Sequence, residues 1–526
     1  MQQDSFISRK KIFNATVIVI LAILLSKISG LVRDQIMAGY FGISYDTDAF
    51  TWAYFIPNLF KVLIAESLIV AAFIPIYSSY LSSPDKKGKS VCKFGGQYNG
   101  NSFFDYIHIN IYIFPQIGLL LSNIADNQMD IGKFVVMSRI MIFSLLSLGL
   151  SGLVTGILNS HNLFALPSIA PLVMNIATIL AVILISGQLG IVSMAVGVMV
   201  GSVLHLAIQL PRLKVSNLRY GFDLNLRHPA VKEIFGLMLP ILLSLGAVQL
   251  NNSVDNFFAL GLGAGNTTAL TLSWRVANLP LGVFSVAVIT VLYPLFSRQA
   301  AADDASGLKE SFSLGVREIG YIMLPATVGL VLMSQPIIKV LFEHYNFLAQ
   351  DTQKVSYILI FHSLGLIFFG LLMILNRVFY AFKDVRTPLK VAAVSMVVNF
   401  FLDWLLIRFM DVGGLALSTS LVALFNTVIL LIILRKRVGN LGGKRIAKSY
   451  AKMFFASVIM GLCVFGLWRL IEGYAFQGLG QLIGSLALTI GSAAAVYIAL
   501  TYIFRMDEIK FALDLVKKFK DRGFRT

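Results

Sequence analysis

The stretch F-N-A-T-V-I-V-I-L-A-I-L-L-S-K-I-S-G-L-V-R-D-Q-I-M-A-G-Y-F, Phe13–Phe41, decides the fold. Phe13 to Leu25 is nearly all apolar and Ile36 to Phe41 largely so, yet Lys27, Arg33 and Asp34 stand between them. A run of this kind asks for a bilayer, which takes about twenty residues of helix to cross. Each charge near the bilayer centre costs roughly 2.5–3.5 kcal/mol on insertion scales, so such residues persist where they face a bundle interior or a watery cavity. On a helix, Ser26 and Lys27, then Gly30, then Arg33 and Asp34 recur at i, i+3/i+4 and i+7 and share one face. Ile28, Leu31 and Val32 lie mostly on the other. Snorkelling to an interface, or an Arg33–Asp34 pair that neutralises itself, is the alternative to a functional polar face.

The rest of the chain extends the pattern. Of 526 residues, 57% are hydrophobic and 13% charged, more apolar surface than a soluble protein of this size can hide. Windows of about twenty apolar residues define about fourteen spans. They centre near 13–41, 49–80, 104–124, 132–158, 166–186, 189–211, 234–262, 268–297, 314–336, 355–381, 389–407, 413–434, 451–471 and 480–504. The first run is too long for a signal-peptide core and no small-x-small site closes it, so it reads as a retained helix.

The loops agree with that count. From a cytoplasmic N-terminus carrying Arg9, Lys10 and Lys11, the even loops hold clusters such as Lys86, Lys87, Lys89 and Arg435, Lys436, Arg437. The odd loops are nearly free of lysine and arginine, with Lys339, Lys354 and Arg408 as exceptions. This alternation follows the positive-inside rule and puts both termini in the cytoplasm of a multi-pass protein of the cell membrane. It also accounts for the net charge of +17 without nucleic acid. Residues 505–526 follow as a cytoplasmic tail, where Ile509, Phe511, Ala512, Leu515, Val516 and Phe519 recur at helical spacing opposite lysines. That pattern reads as an amphipathic helix on anionic headgroups, or as a solvated tail.

A weak repeat relates spans one and two to spans seven and eight. F-G-I-S-Y-D-T-D-A-F-T-W-A-Y-F-I-P-N-L and L-G-A-G-N-T-T-A-L-T-L-S-W-R-V-A-N-L-P-L each run from an external turn into a helix with a proline inside it. Two related six-helix lobes are a transporter signature. The boundaries read as an N-lobe over 1–211, a C-lobe over 212–435 and a helix pair over 436–504. The segment Val91–Phe114, V-C-K-F-G-G-Q-Y-N-G-N-S-F-F-D-Y-I-H-I-N-I-Y-I-F, is too polar for the start of the third span. A shifted reading frame or genuine divergence would produce such an island.

Further polar residues stand inside spans. I-P-N-L-F-K-V-L-I-A-E carries Lys61 and Glu66, L-S-W-R-V-A-N-L-P carries Arg275, and Asp48 closes the first external loop. Lys27, Arg33, Lys61 and Arg275 outnumber the acids Asp34 and Glu66, and a cavity rimmed by cations suits an anion such as phosphate. A second set comprises Asp255, then Asn399 and Asp403 at i, i+4, then Thr419. Carboxylate, amide and hydroxyl oxygens suit Na⁺ or a proton. Asp403, beside Trp404 and near Arg408, reads equally as an interfacial anchor. Cys92 and Cys463 lie far apart and the six histidines are scattered, which gives neither a disulfide framework nor a transition-metal motif.

Together with F-G-I-S-Y-D-T-D-A-F, A-F-I-P, G-I-L-N-S-H-N-L-F-A-L-P-S-I-A-P-L-V-M-N and N-R-V-F-Y-A-F-K-D-V-R-T-P, these motifs resemble the MurJ (MviN-like) lipid II flippases of the MOP exporter superfamily. The resemblance covers nearly the whole chain except Val91–Phe114. It implies an all-α polytopic membrane protein with two pseudo-symmetric six-helix lobes. The helix pair over 436–504 would form a groove for the lipid tail. It implies a non-enzymatic, monomeric exporter of the undecaprenyl-pyrophosphate-linked muropeptide by alternating access. Substrate residues would be Lys27, Arg33, Asp34, Asp48, Lys61, Glu66 and Arg275. A sodium site would use Asp255, Asn399, Asp403, Thr419 and a backbone carbonyl near Leu415. The family often has arginine at the positions of Lys27 and Lys61, and lysine keeps the charge but loses the bidentate fork. A polysaccharide-lipid flippase or a cation-coupled drug antiporter is the alternative within the superfamily, though a drug cavity would be acidic. An enzyme on polyprenyl phosphates would need an acid/base or metal cluster at the membrane surface, and none stands out.

Overall fold

The computed structural model describes residues 2–60, 62, 113–126, 128–161, 163–213, 249, 251, 253–472 and 478–509. Among the described residues the chain is helical. Nine helices are long and apolar enough to cross a membrane, and a tenth span is a bent pair. The helices are α1 (Gln2–Phe41), α2 (Tyr45–Phe60), α3 (Phe114–Ile124), α4 (Ile131–Ser160), α5 (Ala165–Leu189) and α6 (Val192–Ala207). A helical stretch over 253–261 is α7. After it come α8 (Asn266–Ala301), α9 (Ala305–Leu332), α10 (Ser334–Phe342) and α11 (Ala349–Leu364). The chain ends in α12 (Leu366–Ala381), α13 (Arg386–Met410), α14 (Val412–Val438), α15 (Gly443–Glu472) and α16 (Leu479–Ile503). Every expected span thus has a helix at its place, described in part for the second, third and seventh. The polar island falls outside the described residues but for its last two, and so does the tail beyond residue 509.

The chain forms two compact units, Met1–Thr268 with His344–Phe347, and Ala269–Glu343 with Leu348–Thr526. In the first, α1 packs on α5, and α6 on both α4 and α5. The α5–α6 approach depends on Gly197 and Gly201, four residues apart. A Cβ on Gly197 would lie 2.7 Å from the Thr178 Cα, and one on Gly201 would lie 2.8 Å from the Met174 carbonyl. Small residues at this spacing let helix backbones meet where water exclusion gives no driving force.

In the second unit α13 and α14 form a hairpin, and α15 and α16 pack on α9. Tyr321, Met453, Met460, Leu486 and Tyr497 share that apolar core. Met506 and Glu508, just after the last span, are also buried. Helix α8 widens into a π turn at Leu281–Ser285, directly after Pro280. Proline has no N–H for the α-helical bond, which favours such a bulge.

Candidate functional site

The polar face of α1 is built as the spacing predicts, and its charges are organised by a partner. Arg33 donates from Nε and Nη2 to Asp34 Oδ1 at 3.2 and 2.9 Å. Its Nη1 donates to Asn175 Oδ1 on α5 at 3.3 Å. Asn175 Nδ2 in turn donates to the Ser26 carbonyl at 3.2 Å and to Ser29 Oγ at 3.0 Å. Gly30 leaves room for this amide, since a Cβ there would lie 3.5 Å from Asn175 Nδ2. One amide therefore ties two turns of α1 to α5 inside the first unit. The self-neutralised pair is real, yet it leaves capacity. A guanidinium has five N–H donors; the bonds above use three and Tyr54 of α2 lies within bonding reach of the same group, which leaves one. Asp34 is buried, Arg33 half-buried and Lys27 exposed. Lys27 makes no ion pair or hydrogen bond among the described residues. Lys61 and Glu66 lie outside the described residues.

Asp48 serves a different end. Its buried carboxylate accepts from the Gly265 N–H at 2.7 Å, the Thr268 N–H at 2.8 Å and the Thr268 hydroxyl at 2.8 Å. A carboxylate on the first N–H groups of α8 satisfies orphan donors and complements the helix dipole. The two repeated turns are thereby bonded to each other. Gly265 has φ +74°, and a Cβ there would lie 2.6 Å from the Ile43 carbonyl carbon, so the contact needs glycine. The same end of α1 receives Asn346, whose N–H donates to the Gly39 carbonyl at 2.8 Å and whose Nδ2 donates to the Tyr40 carbonyl at 2.6 Å.

In the second unit α13 and α14 pack together and bring Asn399 against Ser418. Asn399 and Asp403 are both buried, and Asn399 Nδ2 donates to Asp403 Oδ1 at 3.5 Å and to Ser418 Oγ at 3.1 Å. The Thr419 hydroxyl donates to the Leu415 carbonyl at 3.1 Å. Asn399 Oδ1 is buried with no hydrogen-bond partner among the described residues. A hard cation would satisfy such an oxygen. The anchor reading separates cleanly from this set. Arg408 stacks on Trp404 at 3.9 Å on the exposed side of α13, while Asp403 points to the inside. Asp255, on α7, is buried in the first unit. Among the described residues no three His, Cys, Asp or Glu converge on a metal position. Arg275 is half-buried on α8, directly after the buried Ser273 and the half-buried Trp274.

Sequence reasoning missed Asn175, Ser29 and Ser418. A lone amide in the middle of the apolar helix α5 was the signal for the first. Ser418 adjoins Thr419 and is told apart only by its contact with Asn399.

Comparison with known proteins bears on the whole chain. The family model described as "Lipid II flippase MurJ" matches residues 37–485. A "Probable lipid II flippase MurJ" of Vibrio cholerae serotype O1 is 27% identical over 532 residues, covering 96% of this chain and 99% of the relative. A "Lipid II flippase MurJ" of Burkholderia cenocepacia is 28% identical, covering 79% and 82%. Among solved structures, "Lipid II flippase MurJ, inward closed conformation" superposes with a TM-score of 0.75 at 25% identity, over 94% of this chain and 100% of that one. An inward-facing MATE multidrug transporter of the MOP superfamily matches with a TM-score of 0.68 at 14% identity, over 81% and 98%, a likeness of fold alone.

Proposed function

The chain belongs to the lipid II flippase MurJ family, and from that premise we propose that it exports lipid II across the cytoplasmic membrane by alternating access, for cell-wall synthesis. It is a multi-pass membrane protein with a transport rather than a catalytic role, and in this reading both termini face the cytoplasm. The observation that supports the reading most is the polar face of α1, a half-buried Arg33 held by Asp34 and Asn175 within a span. A pyrophosphate leaving water needs desolvated counter-charges, and the remaining Arg33 donor offers one of its oxygens a charge-assisted bond. Lys27 adds an exposed cation two turns earlier on that face, and Arg275, in the second unit, is assigned to the substrate by the family resemblance. Asp48 acts as the cap that bonds the two repeated turns. The polarity of the bonds matters. Asp34 lowers the net charge of the empty site, so an anion displaces little and can also leave, as a transporter requires.

Asn399, Asp403, Thr419 and the Leu415 carbonyl would hold a sodium ion or a proton. The ion would supply positive charge to a buried carboxylate and so favour one conformation over another, which is what coupling requires.

The test is complementation of a strain depleted of its own flippase. The chain should restore growth, and Arg33→Ala should not, with both proteins present in the membrane at equal level. Growth on the Arg33→Ala chain as sole copy would refute the phosphate-clamp reading.

A further inference from the structure

Helices α11 and α12 meet at a 44° bend. A break inside a bilayer strands backbone groups that must find partners within the protein. Here the Gly365 N–H turns to the His362 carbonyl, which leaves the Phe361 carbonyl open. Ser420 Oγ of α14 donates to it at 2.7 Å, and Thr327 Oγ1 of α9 donates to the Ser363 carbonyl at 3.1 Å. A Cβ on Gly365 would lie 2.5 Å from Ser420 Oγ. The bend is a filled joint pinned from two helices.

His362 sits in that joint, 3% exposed, with Nδ1 2.6 Å from Ser273 Oγ of α8. The Trp274 ring meets His362 edge-on at 5.3 Å and Phe369 of α12 at 4.9 Å. Ser273 and Trp274 are successive residues, about 100° apart around α8. Anchoring both fixes the rotation and the depth of one helical turn, and Arg275 is the next residue on it. Beyond that turn α8 loosens into its π turn at Leu281–Ser285, so the anchor lies on the regular side of the bulge.

We infer that His362 is the positioning residue for Arg275: bonded to Ser273 and packed on Trp274, it sets the direction in which Arg275 offers its guanidinium to the lipid pyrophosphate. The inference deepens the proposed function and rests on its assignment of Arg275. A positioned guanidinium grips two oxygens at once, while a freely rotating one acts as a diffuse charge.

The experiment uses the purified full chain with Trp52, Trp404 and Trp468 changed to Phe, so that Trp274 alone emits. Affinity for dansyl-labelled lipid II is read by anisotropy, beside Trp274 emission and a thermal melt. His362→Leu and Ser273→Ala should each weaken binding about tenfold, the loss of roughly one charge-assisted bond. The double variant should lose no more than either. Trp274 emission should shift in His362→Leu, and His362→Asn, which keeps a hydrogen-bonding atom near Nδ1, should restore both readouts. Wild-type affinity in a His362→Leu protein that melts normally overturns the inference, as does binding loss that merely tracks melting temperature across all variants. Loss in Arg275→Ala without loss in His362→Leu or Ser273→Ala overturns it and leaves the proposed function standing. Unchanged binding in Arg275→Ala removes the assignment of Arg275 and the inference with it.

Discussion

Replacing Glu508 by Gln, or Arg317 by Met, probes a buried ion pair that ties the segment after the last span to α9. Arg317 Nη1 donates to Glu508 Oε1 at 2.6 Å, and Ser449 Oγ donates to the same oxygen at 2.6 Å. The two side chains are 6% and 1% exposed. Removing one partner of such a pair costs about 3–5 kcal/mol, because the other charge stays buried, whereas replacing both by apolar residues is often neutral or better. Glu318 decides where in that range each variant falls. It is 2% exposed and within electrostatic reach of both Arg317 and Glu508. With Glu508 neutralised, Glu318 still faces Arg317 as a counter-charge, so Glu508→Gln should cost about 3 kcal/mol. With Arg317 gone, the buried Glu508 loses its cation beside a second buried carboxyl group, so Arg317→Met should cost about 5 kcal/mol. The double change Arg317→Met/Glu508→Leu should recover most of the loss. Unfolding in mixed micelles, followed by helix content and by protease cleavage near residue 505, reads all three. Equal stability of Arg317→Met and Glu508→Gln, or a double variant worse than both, would refute the reasoning.

Asp48→Ala should destabilise the first unit by about 1–3 kcal/mol for each backbone N–H it leaves buried, and Asp48→Asn should recover part of that in a thermal melt. Gly201→Leu should prevent α5 and α6 from meeting, because its first carbon already overlaps the Met174 carbonyl; the check is protein yield and melting against Gly201→Ala, which should suffer less. The purified chain should melt at a higher temperature in NaCl than in equimolar KCl, and Asp403→Ala should erase the difference. Equal melting of the wild-type chain in both salts would remove sodium and leave a proton or a structural role.

The spans were legible because bilayer thickness and loop charge impose two independent periodicities on the sequence. The face shared by Lys27, Arg33 and Asp34 was legible from helical spacing. Its organiser was not, since Asn175 is 142 positions from Arg33 and a lone amide in an apolar helix does not say which helix it meets. The break between α11 and α12 was equally hidden. Gly365 looks like any glycine in an apolar span, and only the hydroxyls of Thr327 and Ser420, from distant helices, make the bend tolerable. Asp48 shows the reverse case: its position was plain, but a carboxylate at a loop end serves a substrate or a helix cap with the same sequence signature. Arg317 and Glu508 were missed because the first stands near the start of a span and the second in the tail, and their pairing crosses 191 positions.

The central claim, that this chain moves a lipid pyrophosphate across a bilayer with Arg33 gripping it, is tested most directly by reconstitution. Liposomes holding the purified chain and fluorescent lipid II in one leaflet should show dye crossing to the other leaflet faster than protein-free liposomes do. The Arg33→Ala protein, folded by its melting curve, should fall to the protein-free rate. Crossing at the protein-free rate with the wild-type chain, or undiminished crossing with Arg33→Ala, would contradict the account.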